Sequence, residues 1–169
     1  MINRKFIPVN IAVLTVSDTR THENDRSGDV LAKYINDSGH FLKNREILKD
    51  DRAIISSKLT EWCKRDDIDV VITTGGTGLT GRDVSVEAHR DIYEKEIDAF
   101  ATMFTIISMK KIGTSAVQSR ACAGVAFGTY LFALPGSPGA CKDGWEEILK
   151  YQLDYTPVSY THLTLPTKA

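Results

Sequence analysis

Six consecutive positions, Thr73-Thr74-Gly75-Gly76-Thr77-Gly78, hold only threonine and glycine, and Asp83 follows after four more residues. Glycines let a backbone approach a ligand closely and take up positive φ. Successive backbone N–H groups in such a loop can form a concave nest for an anion, and the three threonine hydroxyls add donors. Two familiar phosphate-binding patterns overlap here. Gly76 to Gly81 satisfies GxGxxG after a strand, as a dinucleotide site requires. Yet this is the third strand-like segment, and the acids about 20 residues on (Glu94, Glu96, Asp98) lie in a helical pattern, so no ribose partner is placed. The same glycines nearly fit a P-loop, but Arg82-Asp83 stand where Lys and Ser/Thr are required. An NAD-type oxidoreductase would therefore rest on glycines alone. The plain alternative is a tight turn with no ligand.

The elements that must position this loop are legible in the periodicity. Ile11-Ala12-Val13-Leu14-Thr15-Val16 reads as a strand buried on both faces, followed by a long polar loop from Ser17 to Gly28. Leu31, Tyr34 and Ile35 mark an amphipathic helix that stops at Ser38-Gly39. His40 to Leu48 is a weaker strand, and Asp50 or Asp51 can cap a helix with the stripe Ile55, Leu59, Trp62. Ile68 to Thr73 is the clearest second strand and runs into the glycine loop. Ile97, Phe100, Phe104 and Ile107 recur at helical spacing. Thr129 to Leu134 reads as a strand that ends at Pro135-Gly136-Ser137-Pro138-Gly139, before a last stripe of Trp145, Ile148, Leu149 and Leu153. Strands alternating with helices imply an α/β fold, a parallel sheet covered on both faces. The tail from Tyr155 to Ala169 breaks the pattern, and residues 156–169 are set apart from a single domain over 1–155.

Composition narrows the function classes. The chain has 169 residues, 21 basic and 22 acidic, for a net charge of −1. That length suffices to bury roughly 70% of the unfolded surface. Near-neutral charge argues against a general nucleic-acid binder. The apolar run Ala121 to Phe127 falls far short of the about 20 residues a membrane span needs. Cys63, Cys122 and Cys141 are scattered, with no CxxC pair, which favours a reducing compartment and core packing. A cytoplasmic location is expected. His22, His40, His89 and His162 are scattered, so no histidine metal site is expected.

Several segments together are more specific than the glycine loop. Val71 to Gly78 with Asp83 resembles the signature of the MoaB/MogA family of molybdenum cofactor biosynthesis. Leu14-Thr15-Val16-Ser17-Asp18, Ile112-Gly113-Thr114-Ser115, Gln118-Ser119-Arg120 and Leu134 to Pro138 support it in the right order. The Ile112 to Gly124 stretch looks closer to the MoaB branch. The resemblance spans about residues 6 to 155. It implies a three-layer α/β/α fold with a central, mostly parallel sheet, and a homotrimer or homohexamer. It further implies a protein that binds molybdopterin and joins AMP from Mg-ATP to its terminal phosphate, releasing pyrophosphate. A non-catalytic carrier or assembly protein of the same fold is the alternative, and other molybdenum cofactor proteins are expected partners.

On this resemblance the site residues are Asp50 and Asp83, as magnesium ligands acting in catalysis. Substrate would meet Ser17, Asp18, Thr74, Gly75, Gly76, Thr77, Gly78, Ser119, Arg120, Pro135, Gly136 and Ser137. Magnesium takes one or two carboxylates plus phosphates and waters, so two aspartates suit it. Plain helix capping is the competing role for Asp50, Asp51 and Asp83. The Pro135 to Gly139 loop opens a helix and suits the pterin or its phosphate, or is only a turn with Pro at the helix start. Arg120 can fork onto a phosphate, or be an ordinary surface arginine. Asp18 can accept from pterin N–H groups, or cap its loop. Phe100, Met103, Phe104 and Ile107 are core or subunit interface.

Overall fold

A computed structural model describes residues 6–153. The expected Tyr155–Ala169 tail lies outside them. The elements run β1 (Asn10–Val16), α1 (Arg26–Asp37), β2 (Phe41–Leu48), α2 (Arg52–Cys63), β3 (Val70–Thr74), α3 (Ser85–Arg90), β4 (Lys95–Glu96), α4 (Asp98–Ile112), a 3-10 helix (Gly113–Gln118), β5 (Cys122–Ala126), β6 (Thr129–Leu134) and α5 (Pro138–Gly144). A π-helical turn (Trp145–Leu149) and α6 (Lys150–Gln152) continue α5.

The strands form one sheet in the order β2-β1-β3-β6-β5-β4. The pairs β1–β2, β1–β3 and β3–β6 are parallel. β5 runs antiparallel to β6 and to the short β4. The sheet is thus mostly parallel, as the resemblance implied, with an antiparallel edge at β5 and β4. Two strands escape the periodicity: β4 takes Glu96 out of the expected helical pattern, which begins only at Asp98, and β5 is Cys-Ala-Gly-Val-Ala, whose small side chains carry little β propensity.

Alternation within the strands divides the core. Ile11, Val13, Val70, Ile72 and Phe132 face α1, α4 and the C-terminal helix, packing with Leu31, Ile35, Phe104 and Trp145. Ala12, Leu14, Val16, Val71 and Leu131 face the opposite layer, with Ile55, Leu59 and Trp62 of α2. These are the three layers of an α/β/α fold, with both faces of the central strands dry.

Boundaries shift modestly. α1 begins at Arg26, capped by Asp25, so the polar loop is shorter than expected. Gly39 stops α1 near φ +84°. The last helix carries its stripe through a π turn, and Trp145, Ile148, Leu149 and Leu153 are all buried. The three cysteines are free and buried. No helix among the described residues is long and apolar enough to cross a membrane.

Candidate functional site

Parallel strands end on the same edge, so β2, β1, β3 and β6 deliver four segments side by side. β2 delivers Asp50, β1 delivers Ser17 and Asp18, β3 the glycine loop, and β6 Pro135 to Ser137. The antiparallel β5 starts opposite the end of β6, with Cys122 beside Ala133. Ser119 and Arg120 therefore reach the same edge. Open α/β sheets bind ligands along this edge.

The glycine loop requires its residue types. Gly75 has φ near +95°, and a Cβ there would lie 2.3 Å from the Val16 carbonyl oxygen. Gly76 has φ near +68°, with the Ser85 hydroxyl 2.4 Å and an Asp50 carboxylate oxygen 3.0 Å from the place of a Cβ. The start of α3 clamps the loop: the Ser85 hydroxyl donates to the Gly75 carbonyl at 2.7 Å and the Ser85 amide to that of Gly76 at 2.9 Å. The second loop touches the first. A Cβ on Gly136 would meet Gly75 Cα at 3.1 Å, and the Thr74 hydroxyl donates to the Pro135 carbonyl at 3.0 Å. Thr77 is buried.

The two aspartates flank the loop. Asp51, not Asp50, caps α2, accepting from the Ile54 amide at 3.0 Å, so the Asp50 carboxyl does not serve as that cap. Burial, then the charges of Asp18 and Asp83, push the Asp50 carboxyl above its ordinary range. Asp83 does not cap α3, whose N-cap is Val84. Its Oδ2 accepts from the Thr80 hydroxyl at 2.6 Å and the Thr80 amide at 3.0 Å, and the hydroxyl bond leads in holding its carboxyl low. A Cβ on Gly78 would lie 2.8 Å from that same oxygen. Asp50 and Asp83 thus converge on one loop, and the charge of Asp83 is felt at Asp50. Among the described residues, no three His, Cys, Asp or Glu side chains are grouped to hold an ion. Two hard carboxylates around a charge-crowded position nevertheless fit magnesium, which completes its shell with phosphates and waters.

Other expected contacts fall differently. The Arg120 guanidinium is spent on the loop: Nε donates to the Thr77 carbonyl at 3.0 Å, Nη2 to that of Gly78 at 2.9 Å, and Nη1 to Glu87 at 2.5 Å. It braces the loop from below. Ser17 accepts from the Thr19 and Arg20 amides, at 3.2 and 3.1 Å. Asp18 accepts from the Asp50 amide at 3.2 Å and from Arg82, and the Arg82 bond leads in lowering its carboxyl. Ser137 caps α5, accepting from the Ala140 amide at 3.1 Å. Beside it lies a cleft of about 360 Å³ lined by Ser119, Pro135, Ser137 and Lys142, with Phe104 and Ser108 of α4.

Two contributors were invisible in sequence. Ser85, the first residue of α3, belongs to none of the sequence motifs. His89, in α3, is fully buried, with Nε2 2.8 Å from the Thr73 hydroxyl and Nδ1 2.9 Å from the Tyr93 hydroxyl. Burial takes its pKa down to about 3, so it is neutral.

The sequence pattern described as a probable molybdopterin binding domain matches residues 12–155. The chain belongs to the MoaB/MogA family. Molybdenum cofactor biosynthesis protein B of Escherichia coli (strain K12) is 43% identical over 153 residues, covering 90% of each chain. A crystal structure of Molybdenum cofactor biosynthesis protein B matches with a TM-score of 0.82 at 39% identity, covering 85% of this chain and 89% of that one. The tungsten cofactor synthesizing protein MoaB from Pyrococcus furiosus matches with a TM-score of 0.76 at 33% identity, covering 85% and 91%. These similarities lie on the MoaB side of the MoaB/MogA family, as the Ile112 to Gly124 stretch suggested.

Proposed function

We propose that this MoaB/MogA family member transfers AMP from ATP to the terminal phosphate of molybdopterin. An oxygen of that phosphate attacks the α-phosphorus of ATP. The bond from the α-phosphorus to the oxygen bridging to the β-phosphate breaks, and pyrophosphate leaves. Such a transfer asks little covalent chemistry of side chains; it asks for alignment and charge neutralisation.

The observation that carries this reading is the contact between two strand-end loops at Gly75 and Gly136, with Asp50 and Asp83 against the first and a cleft beside the second. The Gly75–Gly78 backbone takes the nucleotide phosphates, and Pro135 to Ser137 with Ser119 take the pterin end. Thr74 ties the two loops together through the Pro135 carbonyl, which fixes the distance between the two substrates. Ser17 and Asp18 form the β1 wall. Asp50 and Asp83 would hold a magnesium ion, which would supply positive charge where phosphates crowd. Arg120 acts as a positioning residue beneath the loop. An oligomer, trimer or hexamer, is part of this proposal.

One observation favours the carrier reading: Arg120 is committed internally and leaves the site one cation poorer. A pyrophosphate-release assay with molybdopterin, ATP and magnesium separates the two. Release that requires molybdopterin supports transfer. Tight molybdopterin binding with no release supports the carrier.

A further inference from the structure

Among the described residues, few arginines around the glycine loop are free to meet a phosphate. Asp18, Asp50 and Asp83 stand around a loop meant for phosphates, and Asp50 carries the electrostatic mark of that crowding. Of the arginines there, Arg120 is locked to loop carbonyls and Glu87. Arg20 spans from Ser27 to the Gly136 carbonyl, both at 3.4 Å. Arg82 differs. Its side chain is 69% exposed, and it sits in the segment joining Gly78 to α3, next to Asp83. Nε and Nη2 both point at a single oxygen, Asp18 Oδ2, at 3.0 and 2.5 Å. The neighbouring Gly81 has nothing within 4 Å of where a Cβ would be, so the segment has room around it.

An exposed ion pair of this kind is weak and easily exchanged. Its arginine is surrounded by carboxylates that a polyphosphate would outbid: phosphate offers more charge and matches the guanidinium fork. Asp18 keeps a second partner if Arg82 leaves, because its other oxygen accepts from the Asp50 amide. We propose that Arg82 is a catalytic residue held in reserve, parked on Asp18 when the site is empty and transferred to the phosphates of the nucleotide when it fills. This rests on the adenylyl-transfer reading. It adds that the glycine loop brings its own mobile cation, and that Asp18 competes with nucleotide for it.

The test is a double-mutant cycle on ligand affinity, read by calorimetry with ATP, inorganic pyrophosphate and adenosine as probes. Arg82→Gln is expected to weaken ATP and pyrophosphate about tenfold and leave adenosine unchanged. Asp18→Asn is expected to tighten ATP. The deciding arm is Arg82→Gln in the Asp18→Asn background, where it is still expected to cost about tenfold. If the double variant binds ATP as Asp18→Asn alone does, Arg82 serves only Asp18 and the proposal is overturned. If adenosine weakens as much as ATP, the effect is structural and the proposal is likewise overturned. Failure of the unaltered chain to bind ATP overturns the adenylyl-transfer reading together with this one.

Discussion

Asp50 is where fold and function pull apart. Its carboxyl holds a proton more tightly in the fold than in the unfolded chain, because burial and the charges of Asp18 and Asp83 disfavour its ionised form. A carboxyl with a raised folded pKa costs stability as pH rises through that pKa, and the cost persists at neutral pH. Asp50→Asn is therefore expected to raise the melting temperature at pH 7 while abolishing AMP transfer; scanning calorimetry beside the transfer assay checks both. A drop in melting temperature would mean that Asp50 is a structural anchor. Residue identities around the glycine loop were legible because glycine and aspartate have few reasons to recur so densely. Which aspartate was free was not legible. Asp50 and Asp51 are adjacent and equally able to cap, and only the start of α2 decides that Asp51 does so. Nor could the sequence show that Arg120 turns inward, since its partners are backbone carbonyls of a loop 42 and 43 positions away.

At the scale of elements, α3 does more than its six residues suggest. Ser85 holds the glycine loop, and four residues on His89 fixes the helix to Thr73 at the end of β3. The imidazole stays neutral down to about 3, whereas in the unfolded chain it takes a proton near the ordinary 6.5. As pH falls below that ordinary value the unfolded chain gains a proton that the fold refuses, so stability is lost on acidification. The loss from this one group approaches about 1.4 kcal/mol per pH unit. Urea midpoints between pH 7 and pH 5 are expected to fall less steeply in His89→Gln than in the unaltered chain, although the variant is weaker at pH 7. Equal slopes would contradict the assignment. The sequence showed His89 only as one of four scattered histidines, since its role depends on burial against a strand 16 residues earlier. β5 escaped for a related reason. Its small residues have no strong period, and it becomes a strand because β6 offers it an edge.

For the whole molecule, α4 and the turn after it leave an uncovered apolar face. Met103, Ile106, Met109 and Ile112 are each about half exposed, and Val117 is 78% exposed. Exposed apolar side chains gathered on one element suit an association surface. With the oligomer proposed above, light scattering is expected to show a trimer or a multiple of it, and Met103→Glu combined with Ile106→Glu to give monomers. A monomeric unaltered chain would contradict this. The layered architecture itself was legible, because β1 and β3 are continuous apolar runs and their connecting helices carry clear stripes. The edge that gathers Asp50, Asp83, Ser119 and Ser137 follows from strand direction, and strand direction at β5 is a tertiary property.

The central claim is that one bond, from the α-phosphorus of ATP to the oxygen that bridges to the β-phosphate, breaks on this edge and that AMP passes to molybdopterin. The most direct measurement follows ATP labelled at the α-phosphorus, with molybdopterin and magnesium, in the unaltered chain and in Asp83→Asn. The label is expected on the pterin in equal amount to pyrophosphate released, and to fall at least about a hundredfold in Asp83→Asn. Label that stays in ATP while molybdopterin binds tightly would contradict the account.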